Sequence, residues 1–258
     1  ELALQEIRET GKCTSFEKEY FRKDGSRVAI MIGATAFENE PDRGIGYVLD
    51  ITQRKQSEVR VRYLNRIYAV LSDINQAIVR EQDPERMLLE ACRIAIDKGG
   101  FLMAWIGLQG LGAATMHLAA HAGVAGVYLD KLKGALATDI ALHAPTIEVM
   151  RSGKHVIVND IEHDPRKTSW REFAQPLGIR ALAAFPIKVD GQTIGTFNFH
   201  SDETGFFTEE ELRLLDELAL DIGFALEIKR REAERQLAEN NLLASEMRYR
   251  RLFESAKD

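Results

Sequence analysis

The sequence is 258 residues long with a formal net charge of −6, and 45% of its residues are hydrophobic and 29% charged. This length and composition predict a globular protein of one or two domains with a sizeable core. The basic residues are dispersed among acids, which excludes a basic surface for nucleic acid, and no apolar run approaches the ~18–20 residues of a membrane span. The two cysteines, Cys13 and Cys92, lie far apart, so we expect free thiols and a reducing, cytoplasmic location.

The first part of the chain has the pattern of three antiparallel strands. Residues 16–22 alternate in polarity, Asp24-Gly25 predicts a tight turn, and residues 27–37 continue as a second extended run. Residues 44–51 form the third predicted strand. Three strands make half a sheet rather than a domain, so we expect this part to be one portion of a larger fold.

The triplet Asp50-Ile51-Thr52 ends the third strand and leads directly into a charged helical segment at residues 53–66. This junction resembles the end of a PAS sensor domain, and the resemblance implies that residues 1–52 are the C-terminal half of such a domain. Thr52 is suited to cap the helix, because a threonine hydroxyl accepts backbone N–H groups at a helix start. We therefore expect Asp50 and Thr52 to couple the sheet to the helix and to carry a signal rather than a ligand.

The apolar period becomes helical after this junction. A stripe at alternating steps of three and four runs over residues 61–78. Asp83-Pro84 predicts the start of a second helix, because Asp is a preferred cap and Pro suits the first helical position. Gly99-Gly100 predicts its end.

Extended segments then follow, and they predict strands near residues 101–108, 115–122, 155–158, 180–189 and 193–200. A capping box at Thr208 and Glu211 predicts the start of a long helix. Its stripe continues at steps of three and four over residues 212–247, which favours a coiled coil.

The order of these segments resembles the GAF domain family over residues 67–228. The resemblance is carried by residues 100–107, 118–123, 156–161, 184–187, 190–195 and 207–215. It implies an α+β fold with a six-stranded antiparallel sheet, helices behind the sheet, and a capped pocket on its other face. Residues 229–247 are then a coiled-coil linker. Residues 248–258, with the sequence RYRRLFES at their start, resemble the opening helix of a second PAS domain.

The GAF resemblance implies a small-molecule pocket between the first strand of the sheet and a segment that follows residues 164–166. Aromatic walls with a few polar groups are typical of such pockets. The predicted ligand-binding residues are Trp105, His121, Thr146, Trp170 and Phe173. The alternative is that both tryptophans are core aromatics.

Motifs for more specific chemistry are missing from the sequence. His117 and His121 share a strand face, but no acidic or cysteine partner stands at metal-ligand spacing, so we predict no metal and no other cofactor. The cyclic-nucleotide pattern of some GAF domains does not occur. Bilin attachment and the methionine-sulfoxide-reducing GAF enzymes require cysteines that this chain does not have in the pocket region.

These patterns favour a sensory segment of a bacterial-type signal-transduction receptor. It would bind a small molecule in the GAF pocket and relay the signal through coiled-coil helices to an output domain outside this chain, a histidine kinase or a cyclic-di-GMP enzyme. The alternative is a ligand-free dimerisation and relay module. Both hypotheses predict a homodimer through the helical stripes. No nucleophile–base pair stands out, so we predict no catalytic residue and no enzyme.

Overall fold

A computed structural model describes the chain at residues 2–37, 40–110, 115–123, 134, 145–165, 171 and 174–255. The chain divides into two compact units, residues 1–65 and residues 66–258. Within the described residues, no helix combines the length and the apolar character needed to cross a membrane.

The first unit contains a three-stranded antiparallel sheet, as the strand pattern predicts. A short helix, which was not predicted, precedes the sheet. Its elements are α1 (Leu2–Thr10), β1 (Lys12–Phe21), β2 (Arg27–Phe37) and β3 (Glu40–Asp50), in the sheet order β1-β2-β3. The predicted turn is present: Gly25 has a φ of +84°, and the Ser26 amide donates to the Asp24 carboxylate at 2.9 Å. Few side chains of this sheet are buried. Its membership of the PAS family stays a prediction.

The helix α2 (Thr52–Arg80) follows directly, and the second unit begins within it. The remaining elements are α3 (Pro84–Asp97), β4 (Met103–Gln109), β5 (Met116–Gly123), α4 (Pro145–Ser152), β6 (Val156–Val158), β7 (Ala181–Val189), β8 (Gln192–Ser201) and α5 (Glu209–Ser255). The start of α3 is as predicted, because Asp83 accepts the Glu85 amide at 3.0 Å and Pro84 occupies the first turn.

The second unit is built on an antiparallel sheet with the strand order β5-β4-β8-β7-β6. The α+β class is confirmed, but the prediction of six strands is wrong, since the described part of this sheet has five. The error arose because the predicted number of strands came from two different sources. The strand-like patterns in the sequence account for five segments, and the sixth came only from the family resemblance.

The two faces of this sheet are covered differently. One face carries a cluster of phenylalanines, in which the ring centroid of Phe199 lies 4.2 Å from that of Phe197 and 4.8 Å from that of Phe101. Helices α3 and α5 contact this side of the sheet. The opposite face carries Trp105, and α4 packs there through Val149, which clusters with Val156 and Ala184.

One of the two hydrogen bonds of the predicted capping box is present at the start of α5, because the Thr208 amide donates to the Glu211 carboxylate at 2.8 Å. The helix is 47 residues long. Its first part is buried against the sheet, whereas from Arg231 onward nearly every described side chain is exposed. The predicted long helix is therefore present, and its pairing as a coiled coil stays a prediction.

Candidate functional site

The candidate site lies on the sheet face that carries Trp105. In the strand register, Trp105 of β4 stands opposite His121 of β5 and opposite Asn198 of β8. Directly opposed residues of antiparallel strands point to the same face. Strand pairing therefore brings together two of the predicted residues, Trp105 and His121, and adds one that the sequence interpretation missed, Asn198.

A buried hydrogen-bond network joins this face to α4. The Thr146 hydroxyl donates to the Asn198 side-chain oxygen at 3.1 Å. The Asn198 side-chain nitrogen donates to the Thr196 hydroxyl at 2.9 Å and to the Trp105 carbonyl at 3.3 Å. Thr146 and Asn198 are each only 3% exposed. The predicted residue Thr146 thus contacts the strand beside Trp105 through Asn198.

A small cavity lies at this network. Its volume is about 10 Å³, and its lining consists of Trp105, Pro145, Thr146, Leu182, Ala183, Asn198 and His200. That space holds about one water molecule, whereas pockets for small organic ligands measure about 300–1,000 Å³. The cavity is therefore closed to an organic ligand in this conformation.

The indole of Trp105 has an unsatisfied donor. The side chain is 2% exposed, and its Nε1 has no hydrogen-bond acceptor in the described part of the chain. A buried N–H without a partner costs about 1–3 kcal/mol. A site that retains such a donor next to a cavity is chemically suited to a ligand or a water that carries an acceptor oxygen.

His200 is the second site residue that the sequence interpretation missed. It stands opposite Met103 and lies two residues after Asn198, so it occupies the same face of β8. Burial lowers the pKa of the His200 imidazole to about 4, and the ring is therefore neutral at neutral pH. The alternation of Phe197 and Phe199 with polar residues was the available signal, because one apolar face implies that Asn198 and His200 share the other.

Two predicted site residues, Trp170 and Phe173, lie outside the described residues. The structure also shows no group of three potential metal-ligating side chains among the residues that it describes. The predicted ligand set is thus represented here by Trp105, His121 and Thr146.

The predicted coupling residues have a more specific arrangement than the sequence suggested. Asp50, rather than Thr52, satisfies the start of α2, because its carboxylate accepts the Thr52 amide at 2.9 Å. The Thr52 hydroxyl instead accepts the Ala29 amide of β2 at 3.3 Å. Arg22, in the connection between β1 and β2, donates to the other carboxylate oxygen of Asp50 at 2.9 Å. Hydrogen bonds from Thr52, followed by those from Arg22, hold the pKa of Asp50 below its usual value.

Comparison with known proteins identifies the fold of the second unit. The model of the GAF domain family matches residues 81–227, which is more than half of the chain. The chain therefore belongs to the GAF domain family.

The chain is also similar to a curated protein and to solved structures. It is 27% identical to the methyl sulfide methyltransferase-associated sensor of Methanosarcina acetivorans over 97% of this chain and 24% of that protein. The chain thus spans about a quarter of the length of that relative. A GAF domain from a phosphoenolpyruvate-protein phosphotransferase of Coxiella burnetii has a TM-score of 0.51 at 18% identity and covers 66% of this chain and 97% of its own.

A further structural likeness corrects one expectation. The free methionine-R-sulfoxide reductase of Neisseria meningitidis, solved with its substrate, has a TM-score of 0.53 at 19% identity and covers 64% of this chain and 91% of its own. The prediction of no enzyme, which was made from the absence of catalytic motifs in the sequence, is wrong, because an enzyme shares this fold. Cys13 lies in the first unit and Cys92 in the second, and both are buried free thiols.

Proposed function

We propose that this chain is a sensory segment of a signal-transduction protein and that its GAF domain binds a small polar molecule beside Trp105. The observation that carries the proposal is the buried, unsatisfied Trp105 N–H at the edge of a cavity with polar walls. The similarity to a protein named as a sensor supports the sensory role.

The lining of the cavity indicates the chemistry of the ligand. Trp105 supplies a donor, Thr146 and Asn198 supply a hydroxyl and an amide, and His200 is neutral because of its burial. No lining residue carries a charge at neutral pH. A buried ion without a partner is costly, so the site favours an uncharged molecule that has an acceptor oxygen for the indole and an apolar part for Pro145 and Leu182.

Binding of such a molecule requires the cavity to open. The residues Pro145 and Thr146 belong to α4, which packs against β6, β7 and β8. Separating α4 from the sheet breaks the hydrogen bond from Thr146 to Asn198, at a cost of about 1 kcal/mol. A ligand that binds the open arrangement more tightly than the closed one would shift the population towards it. We propose this shift of α4 as the sensing step.

The helix α5 is the proposed route of the signal to an output domain outside this chain. It contacts β7, and its residues Arg230 and Arg231 both bind Asp190 at the tip of the β7–β8 hairpin. The Lys229 ammonium donates to the Glu81 carbonyl at the end of α2. These contacts end where the exposed part of α5 begins, so a change in the sheet would act at the base of that helix.

Mass spectrometry of the gently purified protein under native conditions tests the ligand proposal. We expect a bound small molecule on the wild-type chain and its loss from Trp105→Phe, which keeps the aromatic ring but removes the donor. Tyr68→Phe is the matched control, since Tyr68 is 55% exposed on α2. A ligand retained by Trp105→Phe would contradict the role given to the indole.

The second candidate function is a ligand-free relay that dimerises through α2 and α5. The small volume of the cavity favours it, because the closed site holds no more than about one water molecule. Exposed apolar side chains on the two helices also favour it, among them Val61, Leu237 and Leu243. Analytical ultracentrifugation tests the dimer, and a monomer that persists at ~100 µM, well above the Kd of a stable interface, would contradict it.

A further inference from the structure

A second pocket lies at the end of the sheet where β7 begins and β8 ends. Its volume is about 240 Å³. Its polar lining consists of Asp160, Glu162, Arg171, Gln175, Arg180 and Thr204. None of these residues lines the cavity beside Trp105, so the two are separate sites.

Neither arginine of this pocket has an anionic partner among the residues that the structure describes. The Nε of Arg171 is buried and has no hydrogen-bond acceptor in the part of the chain that the structure describes. The Arg180 side chain forms no ion pair within the same residues, while its backbone is held at both sides. The Arg180 amide donates to Ser201 at 2.8 Å, and its carbonyl accepts the Ile161 amide at 2.9 Å. The Arg171 side chain is thus partly buried, and Arg180 is an exposed residue directly before β7.

The lining also carries two carboxylates, Asp160 and Glu162. Asp160 is engaged by His163, whose backbone amide and ring Nδ1 lie 3.1 and 2.9 Å from its two oxygens. This contact with His163 lowers the pKa of Asp160. Glu162 is exposed. Among the described residues, neither Asp160 nor Glu162 forms an ion pair with Arg171 or Arg180, although all four line the same pocket.

We propose that Arg171 and Arg180 form a binding site for the oxyanion group, a carboxylate or a phosphate, of a small molecule. Guanidinium groups bind planar oxyanions with two parallel hydrogen bonds, and such charge-assisted bonds are about twice as strong as neutral ones. The Thr204 hydroxyl and the Gln175 amide offer further donors on the wall of the same pocket. The site does not depend on a ligand at Trp105.

The position of the site connects it to the core beneath Trp105. Arg171 precedes Ala174, and Ala174 and Ile179 pack in one buried cluster with Trp105 and Leu182. Arg171 and Gln175 thus line the oxyanion site, while Ala174 belongs to the Trp105 core. An oxyanion that bridges Arg171 to Arg180 links Arg171 to the residue that directly precedes β7.

Isothermal titration of the full chain with inorganic phosphate, and separately with succinate, tests the proposal. We expect saturable binding of at least one of the two anions, with affinity reduced at least tenfold in Arg171→Gln and in Arg180→Gln. The matched control is Arg86→Gln, because the Arg86 side chain is 79% exposed on α3 and outside the pocket. We expect this control to bind like the wild type.

The two anions also distinguish the source of the oxyanion. Preference for phosphate indicates a phosphorylated ligand, and preference for succinate indicates a carboxylic acid. Should Arg171→Gln unfold the domain, Arg180→Gln still tests whether the pocket binds the anion, because Arg180 is exposed. Circular dichroism checks that the Arg180→Gln variant is folded. The proposal would be overturned if the binding heat saturated with neither anion. It would also be overturned if the wild type and Arg180→Gln bound the anion with equal affinity.

Discussion

The Thr146 hydroxyl of α4 lies 3.1 Å from the side-chain oxygen of Asn198 in the middle of β8, and both side chains are buried. This bond is a polar contact between α4 and the Trp105 face of the sheet. In the proposed sensing step it must break, so its strength bears on both stability and ligand binding.

Replacement of Thr146 by valine isolates this hydrogen bond, because the two side chains have nearly the same shape. We expect the free energy of unfolding to fall by about 1–2 kcal/mol, since Asn198 keeps a buried oxygen without its donor. Urea denaturation followed by circular dichroism measures this. Thr115→Val is the control, because Thr115 is exposed. Equal losses in the two variants would show that the bond contributes nothing specific.

Gly223 allows α5 to approach β7 closely. A methyl group at this position would collide with the backbone carbonyl of Lys188. Gly→Ala in a helix interior normally stabilises by roughly 1 kcal/mol. For Gly223→Ala we expect the opposite sign, with a lower melting temperature, because the helix must move away from the strand.

The control for Gly223→Ala is Asn241→Ala on the exposed part of the same helix, where only helix propensity acts and a small gain is expected. A melting temperature of Gly223→Ala at or above that of the wild type would mean that α5 shifts without cost. The base of α5 would then not be the fixed contact that the signal route requires.

The carboxyl group of Glu211 makes stability depend on pH. Burial raises the pKa of Glu211 to about 7, against the opposing effects of its Thr208 hydrogen bonds and of Arg66, and with a smaller repulsion from Glu210. The folded state therefore binds the proton more tightly than the unfolded state does. The stability that the folded state gains by binding this proton is fully present below pH 4.5 and is lost as the pH rises through about 7.

Glu211→Gln tests this relation, because glutamine also serves in a capping box but does not ionise. We expect the variant to be more stable than the wild type at pH 8, by about 1–3 kcal/mol, and to lack the decline between pH 5 and 8. Glu209→Gln on the exposed first turn should keep the wild-type profile. Parallel pH profiles of the wild type and Glu211→Gln would contradict the prediction.

The Asp50 junction is expected to act in signalling. In a signalling protein of the proposed kind, Asp50→Ala removes both the acceptor for the Thr52 amide and the partner of Arg22. We expect the output activity to lose its response to stimulus, while the circular dichroism spectrum of this segment is unchanged. Glu58→Ala, which removes an exposed ion pair with Arg54 on the same helix, should respond normally. A normal response of Asp50→Ala would reduce the junction to a connector.

Local features of the fold were predictable from neighbouring residues. The Asp24-Gly25 turn, the cap of Asp83 on α3 and the capping box of Thr208 with Glu211 each depend on residues within four positions in sequence. Their signals are therefore complete in a short window. Strand alternation likewise predicted the five strands of the GAF sheet, whereas α1 went unpredicted because its short segment has no clear cap or stripe.

The candidate site was predictable only in part, since a single strand shows which residues share a face but not which strands are neighbours. Trp105, His121 and Thr146 were predicted from the sequence and the family resemblance. Asn198 and His200 became visible as site residues only when the pairing of β8 with β4 placed them beside Trp105.

The sequence by itself determined the GAF fold class, the positions of its turns and caps, and the long final helix, because these follow from local backbone preferences and from the period of apolar residues. Only the tertiary structure decided the strand order, the burial of Glu211 and His200, and the pairing of Arg171 with Arg180 in one pocket. Desolvation and hydrogen bonding across distant segments control these features, and they depend on which residues the folded chain brings into contact.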